Sequence, residues 1–215
     1  MGAQRCTSNG LVTMTVRKKI VVDIDGVVAQ YDFPRMIKKH FGVDIKQEDV
    51  WTYAIEDALG VAPNDVYTMF RSEIFDTPLF VPGAREALDK LNRKHDVFIY
   101  TNRIKIMGMQ PLIKWLDDNK IAHSKIIFNN LHPDGQFDYH IDDSPLKLMD
   151  MNGTTVKKLL FDQPWNRNCL NITGRMQRVC GWAEVLEVIS GRKRVSRTDS
   201  VSERRPKCTV RRKAK

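Results

Sequence analysis

Short apolar runs that end abruptly in acids, hydroxyls or amides recur along the chain. Lys19-Ile20-Val21-Val22 leads into Asp23-Ile24-Asp25-Gly26, Asp96-Val97-Phe98-Ile99-Tyr100 into Thr101-Asn102-Arg103, and Tyr139-His140-Ile141 into Asp142-Asp143-Ser144-Pro145. Apolar runs of this length bounded by turn formers predict buried strands. Two more stand at Lys125 to Phe128 and Lys157 to Phe161. Between the runs the apolar period lengthens. Ala84 to Lys94, entered through Pro82-Gly83, places Ala87, Leu88 and Leu91 on one helical face, and Pro111 to Asn119 carries Leu112, Ile113, Trp115 and Leu116. A last helix is predicted at about Trp182 to Ile189. Strands alternating with helices imply an α/β fold whose mostly parallel sheet is covered on both faces and binds ligands at the carboxyl ends of its strands. Asp23, Thr101 and Asp142 would converge at that edge.

Residues 30–80 interrupt the alternation with helical periodicity alone. Phe33, Met36, Ile37 and Phe41 form one face, Val66, Met69, Phe70 and Ile74 another, with Gly42 and Gly60 as helix stops. A small helical cap inserted after the first strand is expected. Phe33, Trp51, Tyr53, Phe70 and Arg71 are its candidates for touching a substrate, although aromatic stripes at this spacing more often bury themselves.

Asp23 and Asp25 are the most informative pair. Side chains two apart on a strand point the same way, and Gly26 permits a sharp turn directly after them. Two like charges so placed repel unless a cation or a shared proton intervenes, which points to a metal-assisted site. Asp-Gly is also ordinary turn chemistry; the two other polar strand ends raise the weight of the functional reading. Asp142 and Asp143 are adjacent, so on a regular strand they face opposite sides, one a metal ligand and the other a helper. His140 is expected to point away from the acids.

Asp23-Ile24-Asp25-Gly26-Val27, Thr101 and Asp142-Asp143 resemble motifs I, II and IV of the haloacid dehalogenase superfamily of phosphohydrolases. Leu79-Phe80-Val81-Pro82-Gly83-Ala84-Arg85 and Leu160-Phe161-Asp162-Gln163-Pro164-Trp165-Asn166, with Arg178 and Trp182, are similar to segments of its 5'(3')-deoxyribonucleotidase branch. The resemblance spans about residues 18–190 and implies a three-layer, Rossmann-like core. It further implies a magnesium-dependent phosphomonoester hydrolase in which Asp23 is the nucleophile and forms an aspartyl-phosphate, with Asp25 as general acid and base. Magnesium would be held by Asp23, the backbone carbonyl of Asp25 and Asp142, with Asp143 beside them. Thr101, the amide of Asn102 and Arg103 would bind the phosphate. The superfamily's basic motif III has no match at Leu131-His132-Pro133, where that branch carries it; Lys125 is the nearest basic residue upstream, and Arg103 and Lys105 are the other candidates.

The substrate implied is a small phosphomonoester, a nucleoside or deoxynucleoside monophosphate. Two alternatives stay open: a phosphatase acting on nucleic-acid ends, and a weakly active fold serving as a nucleic-acid or protein adaptor. Composition adds one element. The net charge of +9 resides in residues 191–215, with eleven Lys or Arg against two acids, while residues 1–190 balance. Such a tail is expected to be disordered and to contact nucleic acid without sequence preference. Residues 1–17 are expected to form a disordered extension, residues 18–29 and 81–190 the core, and residues 30–80 the cap. Cys6, Cys169, Cys180 and Cys208 show no metal-ligand spacing, and no run suggests a signal segment or a membrane span, so a cytoplasmic location is expected.

Overall fold

The computed structural model describes residues 16–50, 55–73, 79–127, 137–150, 157–167 and 176–191. In chain order the elements are β1 (Lys19–Val22), β2 (Ala29–Gln30), α1 (Phe33–Phe41), α2 (Ile55–Leu59), α3 (Pro63–Glu73), β3 (Leu79–Phe80), α4 (Ala84–Lys94), β4 (Asp96–Tyr100), α5 (Arg103–Met107), α6 (Met109–Asp118), β5 (Lys125–Ile127), β6 (Tyr139–Asp142), α7 (Pro145–Asp150), β7 (Lys157–Phe161), β8 (Met176–Val179) and α8 (Trp182–Ser190). Two 3-10 turns, Gln47–Asp49 and Pro164–Asn166, complete the described set.

Six strands form one sheet in the order β5-β4-β1-β6-β7-β8, with every adjacent pair parallel. The chain runs outward from β1 through β4 to β5, then crosses to the other side for β6, β7 and β8. This reversal makes the carboxyl end of β1 the switch point, where open α/β sheets bind ligands.

Alternation along the strands fills the two faces. Ile20, Val22, Val97, Ile99, Ile141 and Leu159 pack in the core cluster that includes residues of α4, α6 and α8. Their neighbours point the other way: Val21 packs with Phe98, Tyr100 and Phe137, and Leu160 with Leu148 of α7 and Met176. Three layers result, as the apolar pattern requires. Helix α6 starts earlier than its apolar stripe suggests, at Met109, because Pro111 sits in the first turn, where its missing N–H costs nothing. Strand β8 was not legible as a run, since exposed Gln177 and half-buried Arg178 interrupt it at the sheet's edge.

The insertion leaves and re-enters the core through the antiparallel β2–β3 ribbon, with Ala29 opposite Phe80 and Gln30 opposite Leu79. Its helices bury Phe33, Met36 and Ile37 of α1 against Val66 and Met69 of α3 in a cluster of their own. Gly42 ends α1 in the left-handed conformation, as expected of a helix stop. Phe33 also meets Trp165 of the core at 5.5 Å between ring centroids, so the insertion rests beside the switch point. The expected contacts of Trp51, Tyr53 and Ile74 fall outside the described residues.

Candidate active site

The site begins where β1 stops. Asp23 extends the ladder by one more bond, donating its N–H to Ile141 O at 3.0 Å, and its side chain is buried. The chain then turns tightly at Gly26, whose φ of +76° suits glycine. Space also demands glycine there: a Cβ would stand 2.3 Å from Asp143 Oδ2.

Carboxylate oxygens of Asp23, Asp142 and Asp143 lie within 4.8 Å of one another, all on buried side chains. Asp23 Oδ1, Asp142 Oδ2 and Asp143 Oδ1 have no hydrogen-bond partner among the described residues. Buried acceptors without donors are costly, and the cost is greatest for charged ones. Hard oxygen donors gathered this way fit a divalent cation. Without one, burial, reinforced by the charges of Asp142 and Asp25 and opposed by Lys147, raises the Asp23 carboxyl to about 7. Burial likewise drives Asp143 well above the ordinary range, aided by Asp142 and Asp23. At Asp142 burial pushes upward too, but Lys147, His140 and the Ser144 amide outweigh it and the group is lowered.

Two local expectations are corrected here. Asp142 is the last residue of β6, so strand alternation does not reach Asp143, whose carboxylate joins the cluster. Trp165 Nε1 holds it at 2.7 Å, and Asn166 Nδ2 donates to its carbonyl at 2.8 Å. His140 shares its strand face with Asp142, two residues on, and its Nε2 lies 3.4 Å from Asp142 Oδ2 rather than turning away.

The cation beside the acids is Lys147. Its Nζ donates to Asp23 Oδ2 at 2.8 Å and stands 3.7 Å from Asp142 Oδ2. Lys125, the residue expected in this role, is exposed at the start of β5, two strands away from β1. Residues 131–133, the other place considered, lie outside the described set. Lys147 comes instead from the first turn of α7, where Ser144 Oγ accepts its backbone N–H at 3.4 Å. The signal available in the sequence was this capping serine, which places the lysine one turn beyond the acids.

Thr101 is buried at the end of β4, and its Oγ1 accepts the Arg103 N–H at 3.2 Å; Asn102 is exposed at the start of α5. Arg103 does not serve as an open phosphate ligand. Only 1% of its side chain is exposed, its guanidinium stacks 4.3 Å from the Trp115 ring, and it pairs with Asp25. Asp25 Oδ1 accepts from Arg103 Nε at 2.9 Å and from the Tyr31 hydroxyl at 3.0 Å. The Asp25 carboxylate thus engages this pair and is not a member of the three-acid cluster. Burial and the adjacent Asp25 charge raise Tyr31 well above its usual value, so its hydroxyl remains a donor.

A parallel sheet with acids at its switch point defines a class of α/β folds that solved structures share. A haloacid dehalogenase-like hydrolase from Streptococcus pneumoniae matches with a TM-score of 0.54 at 15% identity, covering 80% of this chain and 98% of that one. A "putative HAD-hydrolase YfnB" from Bacillus subtilis, described as bound to magnesium, matches with a TM-score of 0.53 at 13% identity over 81% and 99% of the two chains. Within that class, residues 17–195 match the family model described as "5' nucleotidase, deoxy (Pyrimidine), cytosolic type C protein", and the chain belongs to this family of nucleotidase-type hydrolases. A "Putative 5'(3')-deoxyribonucleotidase" of Chlorobaculum tepidum is 25% identical over 185 residues, which is 79% of this chain and 89% of the relative. Among the described residues no helix is long and apolar enough to cross a membrane.

Proposed function

We propose that the protein is a magnesium-dependent phosphomonoesterase acting on nucleoside or deoxynucleoside monophosphates. The observation that carries this reading is the buried Asp23, Asp142 and Asp143 cluster with Lys147 against it. Asp23, Asp142 and Asp143 would hold the ion, the Asp25 carbonyl being a further candidate; bound there, it would offset the charge of acids and substrate phosphate together.

An Asp23 carboxylate oxygen attacks phosphorus, and the bridging P–O bond breaks with its electrons going to the ester oxygen. That oxygen takes a proton from Asp25. In the second half Asp25 removes a proton from water, whose oxygen displaces Asp23 from phosphorus and regenerates the carboxylate. Lys147, with Thr101 and the Asn102 amide, steadies the phosphoryl oxygens. The helical insertion acts as a cap over the entering nucleoside. The basic residues beyond Gly191 favour an additional, salt-dependent contact with nucleic acid.

The test is phosphate release from a panel of nucleoside monophosphates, sugar phosphates and phosphorylated oligonucleotides with and without magnesium, with Asp23→Asn beside the wild type. Magnesium-dependent release by the wild type alone, highest for a mononucleotide, is expected. Release by Asp23→Asn at the wild-type rate would eliminate the aspartyl-phosphate route.

A further inference from the structure

A buried arginine whose one anionic partner among the described residues is the carboxylate next to the nucleophile is an unusual investment. Arg103 lies 78 residues from Asp25 in the chain, is 1% exposed, and among the described residues keeps Nη1 without a hydrogen-bond partner. The Trp115 ring at 4.3 Å and the Tyr31 ring at 5.9 Å pack against the guanidinium, whose burial keeps it from a phosphate in the open site. Removing a guanidinium from water needs partners for it, and Asp25 Oδ1 and the Trp115 ring face supply them. Simple core packing would have been met by an apolar side chain at this position.

The geometry points to Arg103 and Tyr31 as positioning residues that fix the rotamer of Asp25 so that its Oδ2 faces the departing oxygen of the substrate. Arg103 Nη2 at 2.8 Å, Arg103 Nε at 2.9 Å and the Tyr31 hydroxyl at 3.0 Å all converge on Oδ1. Oδ2 is the oxygen left to carry and deliver a proton, and Asp25 is 34% exposed, which leaves it open to a ligand. The clamp also ties the proton donor to the insertion. Tyr31 packs edge-on against Phe70 of α3 at 5.2 Å and at a tilt against Phe33 of α1 at 5.9 Å, so the insertion's own core sets where its hydroxyl points. Errors of about an ångström in a donor's position cost large factors in rate.

This inference rests on Asp25 being the proton donor of the proposed reaction, and the experiment separates the two. In the first half-reaction the bond from Asp23 to phosphorus forms, the ester bond breaks, and the Asp25 proton moves to the leaving oxygen. A nucleoside alkoxide needs that proton; a p-nitrophenolate leaves without it. Because kcat/KM reports steps only up to departure of the first leaving group, it isolates this transfer from the later attack of water.

Wild type, Tyr31→Phe and Arg103→Lys are compared on a nucleoside monophosphate and on p-nitrophenyl phosphate, with thermal melts as a check of folding. Expected are losses in kcat/KM of roughly tenfold for Tyr31→Phe and roughly a hundredfold for Arg103→Lys on the nucleotide, against at most about threefold on the aryl ester. Equal losses on both substrates in either folded variant would overturn the positioning role while leaving the phosphatase reading intact. A wild type that hydrolyses neither would overturn both. Should Arg103→Lys fail to fold, Tyr31→Phe, which removes a single oxygen, decides alone.

Discussion

Lys147 Nζ lies 2.8 Å from Asp23 Oδ2 across a separation of 124 residues. Lys147 is the third of the six residues of α7, which belongs to both the first and the last turn, so the helix dipole does not decide its place. Buried carboxylates facing it do. The pairing therefore belongs to the site's electrostatics and not to the stability of α7.

Replacing Lys147 by Met should lower kcat by about 10²- to 10³-fold, on the order of 3 kcal/mol, as for loss of one preorganised charge at a transition state. Lys125→Met, at the exposed first position of β5, should leave turnover unchanged. Steady-state kinetics on the preferred mononucleotide decides between them.

Removal of the metal should make stability depend on pH in a defined direction. Asp23 is raised from 3.8 to about 7 in the fold, so between those values the folded chain keeps a proton that the unfolded chain releases. Stability of the metal-free protein then falls as pH rises from about 4 to 7, by on the order of 4 kcal/mol from this group. The lowered Asp142 acts oppositely and only under more acidic conditions. Magnesium should accordingly raise the melting temperature little at pH 5 and strongly at pH 8, as read by calorimetry.

Gly26→Ala should damage both fold and site. The new Cβ meets Asp143 Oδ2 at 2.3 Å and Trp165 at 3.1 Å, and the residue's φ is +76°. A destabilisation of about 1–3 kcal/mol in urea unfolding is expected, with weaker magnesium binding because Asp143 is displaced.

Trp165→Phe removes the indole N–H that orients Asp143 while keeping an aromatic ring against Phe33. Magnesium affinity by titration calorimetry should fall by about 10- to 100-fold, as is usual when a ligand loses its orienting partner.

Ending the chain after Gly191 removes residues rich in Lys and Arg while leaving α8 whole. Binding to an oligonucleotide, followed by fluorescence anisotropy at low salt, should largely disappear. Turnover of a mononucleotide should not change.

Much of the sheet could be read before folding, because strand burial is a local property. Ile20 to Val22, Val97 to Ile99 and Leu159 to Phe161 appear as apolar runs whichever partners they find, and Asp23, Thr101 and Asp142 announce themselves by ending such runs. Strand β8 escaped because Gln177 and Arg178 interrupt its apolar positions, and the short helices α5 and α7 because too few residues exist to display a period. The partners of the site's charges escaped for a different reason. Lys147 reads as an ordinary helical lysine until Leu148 packs on Leu160 and turns α7 over the end of β6. Arg103 follows Thr101 in sequence and so looks like a phosphate ligand, yet Trp115 and Tyr31 draw it beneath Asp25.

The sequence alone therefore determined the α/β alternation, the edge at which the acids gather and the identities of Asp23, Asp25, Asp142 and Asp143, all of which follow from periods and strand ends within a few residues. Only the tertiary structure decided which cation faces which acid, since a charge can choose its partner only after the helices have been packed against the sheet and the water between them removed. Coulomb attraction across 78 or 124 residues leaves no trace in local pattern; it acts once burial has lowered the dielectric and brought the groups within 3 Å or so of each other.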